Sequence, residues 1–225
     1  VCREIAKDKN LAYRYTMKAN TIAIVTDGSA VLGLGNIGGY AAIPVMEGKA
    51  LLFKKLAGID AFPICFESSH AEFADDIKNI APVFGGIALE DIAAPKCFEL
   101  EESLQGIGIP VMHDDQHGTA IVVLAALVNA LRVVKKDARK IKLVVNGAGA
   151  AAMAIVNILI HYGVLGKNII MVDSKGIVCE GREDLNEYKK KIDFFDPNSW
   201  VFIIRAHNKY AWIFVFPISI TSYGI

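Results

Sequence analysis

Short apolar runs of strand length alternate with helix-length segments along this chain, and that alternation limits the fold more than any other feature. The runs TIAIVTD (21–27), KALLFKKLAG (49–58), DAFPICF (60–66), FGGIALED (84–91), IPVMHDD (109–115), IKLVVNG (141–147) and NIIMVD (168–173) read as strands. Between them, EFADDIKNIA, APKCFELEESLQ, HGTAIVVLAALVNALRVV and GAAAMAIVNILIHYG have helix length. A strand, a helix and a further strand in sequence make a crossover that joins parallel neighbours, so the fold class is α/β with a parallel sheet. No repeat or low-complexity linker interrupts the pattern. The basic stretch VVKKDARK (133–140) is the best candidate for a break between a first unit and a second.

Charge and cysteine usage narrow the partners. With 24 basic and 24 acidic residues in 225, the chain has no net charge to draw it to nucleic acid or to an anionic membrane. Its length suits one large domain or two small ones. Cys2, Cys65, Cys97 and Cys179 are scattered without a CxxC pair, which argues for neither a zinc site nor a disulfide framework and fits a reducing cytosol. The chain opens with the charged, helix-like VCREIAKD and no initiator Met, so residues upstream are expected.

The stretch IKLVVNGAGAAAMAIVNILIHYG presents a buried strand, the turn Gly147-Ala148-Gly149-Ala150-Ala151-Ala152 and an apolar helix, followed by a strand ending in Asp173. Glycine lets backbone approach a pyrophosphate, small residues permit close helix packing, the helix N-terminus attracts the anion, and the acid bonds a ribose hydroxyl. The order predicts a dinucleotide site; the plain alternative is an ordinary tight turn. Asp173 favours a free 2′-hydroxyl, while Ser174 and Lys175 after it tolerate a 2′-phosphate, so NAD and NADP both stay open. An earlier motif, VLGLGNIGGYAAIP (31–44), holds Gly33, Gly35 and Gly38 with Asp60 downstream. Only Val31 and Leu32 separate it from the polar turn DGSA, and Pro44 is expected to cut the next helix short, so it is assigned to a substrate-side loop.

Glu90 and Asp91 end one strand-like run, Asp114 and Asp115 end another, and APKCFELEESLQ between them has the length of one crossover helix. Such a unit delivers four carboxylates to one carboxyl edge of a sheet, where open α/β sheets place ligands. Neighbouring carboxylates resist burial without a cation, and hard oxygen donors suit Mg²⁺ or Mn²⁺. The alternative is that each pair caps a following helix; two pairs in one unit favour the metal. Of the histidines, His113 can line this site, His117 falls in a first helical turn, His161 near a helix end and His70 in solvent.

DGSAVLGLGNIGGYAAIPVMEGKALLFKKLAGIDAFPI, FGGIALEDIAAPKCFE, IPVMHDDQHGTAIVVLAALVNAL, VVNGAGAAAMAI and VDSKGIVCEGRED together resemble the bacterial-type malic enzymes, in register from about residue 1 to about 192. The resemblance implies a substrate and metal domain at 1–115, a partial Rossmann-type NAD(P)-binding domain at 116–192 and a divergent tail at 193–225. It implies oxidative decarboxylation of malate to pyruvate and CO₂ with NAD or NADP, a homodimer, and Mg²⁺ or Mn²⁺ on the residues matching Glu90, Asp91 and Asp115. Lys49 matches the family's general base and Asp114 the acid that assists it. A lysine serves as a base only when burial or a nearby cation lowers its pKa. From the residues alone Lys49 reads as solvated, like Lys54 and Lys55. Gly147, Ala148, Gly149, Ala150 and Ala151 match the nucleotide-binding loop.

Two departures stand out. The family's catalytic tyrosine belongs to a segment upstream of Val1, and neither Tyr13 nor Tyr15 occupies its motif. Beyond Lys191, DFFDPNSWVFIIRAHNKYAWIFVFPISITSYGI replaces the second half of the nucleotide domain; Arg205, His207, Asn208 and Lys209 interrupt its apolar stretch, which argues against a membrane anchor there. The chain therefore reads as a malic enzyme truncated at both ends, expected to turn over malate poorly. The other reading is an inactive fragment that keeps metal or nucleotide binding. An amino-acid dehydrogenase is disfavoured, since hydride transfer alone does not need four carboxylates.

Overall fold

The computed structural model describes residues 1–67, 72–179 and 181–190, and the backbone of a short strand at 213–214. His70 and almost all of the 193–225 tail lie outside the described residues. In chain order the elements are α1 (Cys2–Lys7), α2 (Ala12–Tyr15), β1 (Thr21–Thr26), α3 (Gly38–Ala57), β2 (Asp60–Cys65), α4 (Phe73–Ile80), β3 (Gly86–Leu89), α5 (Lys96–Ser103) and β4 (Val111–His113). There follow α6 (Thr119–Val134), β5 (Leu143–Asn146), α7 (Ala150–Tyr162), β6 (Ile169–Asp173), β7 (Gly176–Ile177), α8 (Glu187–Lys190) and β8 (Ile213–Phe214). Two compact units divide the chain, Val1–Asp115 and Gln116–Ile225. The basic stretch 133–140, read from sequence as a break, instead lies inside the second unit, where it ends α6 and forms a 3₁₀ turn at Ala138–Lys140.

The first unit carries a wholly parallel sheet in the order β2-β1-β3-β4. Ala23, Ile24, Val25 and Leu89 are fully buried in its middle strands, against which α3 packs; Ala42 and Met46 of α3 and Ile77 of α4 are fully buried as well. Continuous apolar strands of this kind are what a sheet covered on both faces needs. Pro63, which has no N–H to give a ladder, sits in the edge strand β2.

Two sequence expectations fail together at α3. The run 49–58 is helical rather than a strand, and the helix passes through Pro44 to reach Ala57. Ala, Leu and Lys dominate EGKALLFKKLA and are strong helix formers, whereas a proline removes only one backbone bond from a long helix. Gly58 then ends the helix in a left-handed conformation at φ 71°, its N–H bonded to the carbonyls of Lys54 and Phe53.

In the second unit β5 and β6 run parallel, and β7 and β8 add antiparallel strands at the two edges. The parallel expectation therefore holds for the central pair only. Leu143, Val145, Ile155, Val156, Leu159 and Met171 form the core between this sheet and α7, against which α6 also packs. By length and composition alone, the run Asp114–Val134 could cross a membrane, a test that apolar helices of globular domains also pass.

Candidate functional site

The carboxyl ends of β1, β3 and β4 form one edge of the first sheet. Past β1, residues 27–37 form a loop in which Gly28, Gly33 and Gly35 take positive φ, as does Gly38 at the head of α3. This loop folds over the end of β3. Ala30 donates its N–H to the Asp91 carbonyl at 2.9 Å, Ala93 donates to Ser29 Oγ at 2.9 Å, and the Leu32 N–H bonds the Asp91 carboxylate. At Gly28 a Cβ would stand 2.3 Å from the Gly38 carbonyl oxygen, so only glycine permits the crossing. The early glycine motif thus braces the carboxylate edge. Its helix is long, contrary to expectation, but the loop is far longer than the tight turn of a dinucleotide motif.

Glu90, with only 1% of its side chain exposed, and Asp91 follow β3. Asp91 is held at φ 53°, a left-handed conformation that aspartate tolerates better than most residues. Asp114 and Asp115 begin a single π-helical turn, Asp114–Gly118, between β4 and α6. Asp115 Oδ2 accepts the Asp91 N–H at 2.9 Å and lies 3.8 Å from Nε2 of the fully buried His113. Lys49 reaches in from α3: its Nζ donates to Glu90 Oε2 and stands 3.3 Å from Asp114 Oδ2. The four carboxylates do not cap helices, because Pro95 and Gly118 hold the N-cap positions of α5 and α6 without a side-chain bond.

Burial pushes the Glu90 carboxyl up to about 7, with Asp114 and Asp115 adding to the rise and Lys49 opposing it. Burial and the Asp115 charge push Asp91 up to about 6. For Lys49, burial favours the neutral amine, but the bond to Glu90 and the charges of Glu90 and Asp114 outweigh it, leaving its pKa above the ordinary lysine value. That is the reverse of what a general base needs. Among the described residues no three His, Cys, Asp or Glu side chains converge as a ready-made metal cage. The donor chemistry still fits a hard divalent cation: Glu90 and Asp91 offer buried carboxylate oxygens, their pKa values raised first by burial, beside the Asp115 carboxylate. Closing them on one ion requires Lys49 to release Glu90.

In the second unit β5 runs through Gly147, at φ 133°, and Ala148 to Gly149, the N-cap of α7, where no side chain caps the helix. A Cβ on Gly149 would meet nothing within 4 Å. Ala150, Ala151 and Ala152 open the helix, so uncapped amides face accessible space, a fit for a pyrophosphate. Asp173 ends β6. Its Oδ1 accepts the Lys175 N–H at 2.9 Å and Arg182 Nη1 at 3.0 Å, and its Oδ2 accepts Lys189 Nζ at 2.9 Å and Arg182 Nη2 at 3.3 Å. Burial opposes its ionisation, but Arg182 and Lys189 win and hold the carboxyl below its usual value. Asp173, singled out in the sequence, does end a strand beside the glycine-turn strand, and it is joined there by Arg182 and Lys189, which no sequence pattern indicated and which approach where the β6–β7 hairpin and α8 fold back.

One parallel unit that gathers a lysine and four carboxylates at a sheet edge, followed by a strand, a glycine turn, a helix and an acid, defines the class: an α/β protein with a partial Rossmann-type second unit. Residues 2–75 match the family model "Malic enzyme, N-terminal domain", and residues 116–198 match "Malic enzyme, NAD binding domain". The chain is 55% identical over 197 residues to the bifunctional malic/malolactic enzyme of Bacillus subtilis, covering 86% of this chain and 48% of that one. It is 55% identical over 190 residues to the NAD-dependent malic enzyme of Geobacillus stearothermophilus, covering 84% and 39%. The crystal structure of an NAD-dependent malic enzyme from Thermotoga maritima superposes with a TM-score of 0.83 at 52% identity, over 87% of this chain and 53% of that one. The chain belongs to the malic enzyme family and spans about half the length of these relatives.

Proposed function

We propose that the protein serves the oxidative decarboxylation of malate to pyruvate and CO₂, with Glu90, Asp91 and Asp115 as divalent-metal ligands, Lys49 as general base and Asp114 as its assistant. The observation that carries this reading is the meeting of Lys49, from the middle of α3, with carboxylates from the ends of two different strands. A Mg²⁺ or Mn²⁺ ion there would polarise the hydroxyl and carbonyl oxygens of the substrate as a Lewis acid. Lys49, once freed from Glu90 and deprotonated to the neutral amine, takes the proton of the C2 hydroxyl. Asp114, half-exposed and 3.3 Å away, passes that proton on to solvent. The loop at 27–37 keeps Asp91 in place through its backbone bonds.

A bound NAD or NADP supplies the hydride acceptor. We place its pyrophosphate at Gly147 to Ala151, against the uncapped start of α7. The Asp173 charge is matched by Arg182 and Lys189, so the carboxylate does not repel a 2′-phosphate, and we assign the chain tolerance of both coenzymes. A second reading, a chain that binds metal or nucleotide without turnover, draws on the raised pKa of Lys49. Malate- and Mn²⁺-dependent reduction of NAD and NADP, followed by absorbance in wild type and Lys49→Met, separates the two. Turnover lost in Lys49→Met supports the first; Mn²⁺ binding with no turnover in the wild type supports the second.

A further inference from the structure

The basic stretch that does not divide the units has a different use. Arg132, Lys135, Lys136, Arg139, Lys140 and Lys142 stand against the single acid Asp137, in a chain of zero net charge. At the carboxyl end of α6 this stretch curls toward the end of α7 and encloses a cleft of about 510 Å³, within the range of small-molecule sites. Leu131 and Tyr162 give the cleft an apolar side, and Arg132, Lys135, Lys136 and Arg139 line the rest.

None of these four side chains makes an ion pair among the described residues. The other cationic group of this unit behaves differently: Lys175, Arg182, Lys189 and Lys190 are each paired with Asp173, Asp184 or Glu187. Cations at helix ends often do no more than offset the helix dipole, so the charges must be weighed. The ends of α6 and α7 bring roughly half a negative charge each. Asp137 brings one more, and its carboxylate already accepts the Arg139 N–H at 2.9 Å. Against four cations, an excess of about two positive charges remains.

We propose that this cleft is a second anion site, taking a small organic phosphate of about two negative charges whose flat organic part lies on Tyr162. It is distinct from the pyrophosphate turn. The two stand at opposite ends of α7, whose 13 residues separate them by about 20 Å. Arg139 is further fixed by its backbone, since its carbonyl accepts the Asn168 side-chain amide at 3.1 Å, so the cleft is a shaped surface and not a run of solvated lysines alone.

The probe is phenyl phosphate, a dianion with one ring, titrated into the full chain by ¹H–¹⁵N NMR at constant ionic strength. Expected are shifts centred on residues 131–139 and 162–163, an affinity roughly tenfold or more weaker in Arg132→Gln/Arg139→Gln, and a smaller loss in Tyr162→Ala. All three side chains are exposed, so these variants should keep the fold, and the unshifted core amides serve as the check. Shifts centred on Gly147 to Ala152, unchanged affinity in the double variant, or no binding by the wild type would each overturn the assignment. So would tight binding of single-stranded RNA or of anionic vesicles that phenyl phosphate fails to displace.

Discussion

Replacing Lys49 by Met tests the pairing on which the carboxylate edge depends. Glu90 is almost wholly buried, and its pKa stands near 7 even with Lys49 attached. A carboxyl raised in the fold above its unfolded value of 4.5 contributes stability that is complete below pH 4.5 and lost as the pH rises through the folded value. Between pH 5 and pH 8 this group alone should therefore cost the metal-free wild type about 2.5 kcal/mol. Buried glutamates without a cation reach about 8–9. With Glu90 at that limit in Lys49→Met, the cost over the same interval grows to about 4 kcal/mol, so the variant loses about 1.4 kcal/mol more than the wild type. Asp91, whose carboxyl Lys49 also holds down, shifts in the same direction and adds to the difference. Urea unfolding followed by circular dichroism, in EDTA at pH 5 and pH 8, reads it directly. Equal destabilisation of the variant at both pH values would refute the reasoning.

Three further substitutions separate packing from chemistry. Gly149→Val places its side chain in open space at an extended backbone position, so the melting profile should stay within about 0.5 kcal/mol of wild type while nucleotide affinity measured by calorimetry falls tenfold or more. Gly28→Ala combines a positive φ with a Cβ 2.3 Å from a backbone oxygen, and should cost about 3 kcal/mol or more in urea unfolding, since neither partner is a flexible side chain. Met46→Ala, fully buried between α3 and the sheet, should cost about 2–5 kcal/mol by the same assay.

Much of this fold was legible in the residues, for identifiable reasons. The apolar runs at 21–27, 84–91 and 141–147 became strands because central parallel strands are apolar on both faces and bounded by polar turns. The run at 49–58 misled because ALLF has no period that separates a short buried strand from helix, and the decisive signal was the helix-forming character of its flanks. That the two carboxylate pairs meet at one sheet edge was legible because a crossover of the right length lay between them. Lys49 could not: 41 residues of chain separate it from Glu90, and nothing local distinguishes it from Lys54. The early glycine motif was placed on the substrate side for a wrong reason, the supposed short helix, although the loop does brace Asp91. Arg182 and Lys189 were missed because charge pairing across a hairpin leaves no periodic trace.

Asp115 and the two carboxylates that end β3, Glu90 and Asp91, are proposed to hold one divalent cation. Titration of Mn²⁺ at pH 8, followed by its electron paramagnetic resonance signal, tests it in the wild type and in Asp115→Asn, which keeps the size of the side chain and removes the charge. One tight site per chain in the wild type, weakened roughly tenfold or more in the variant, is the expected result. Equal Mn²⁺ affinity in the two chains would contradict it.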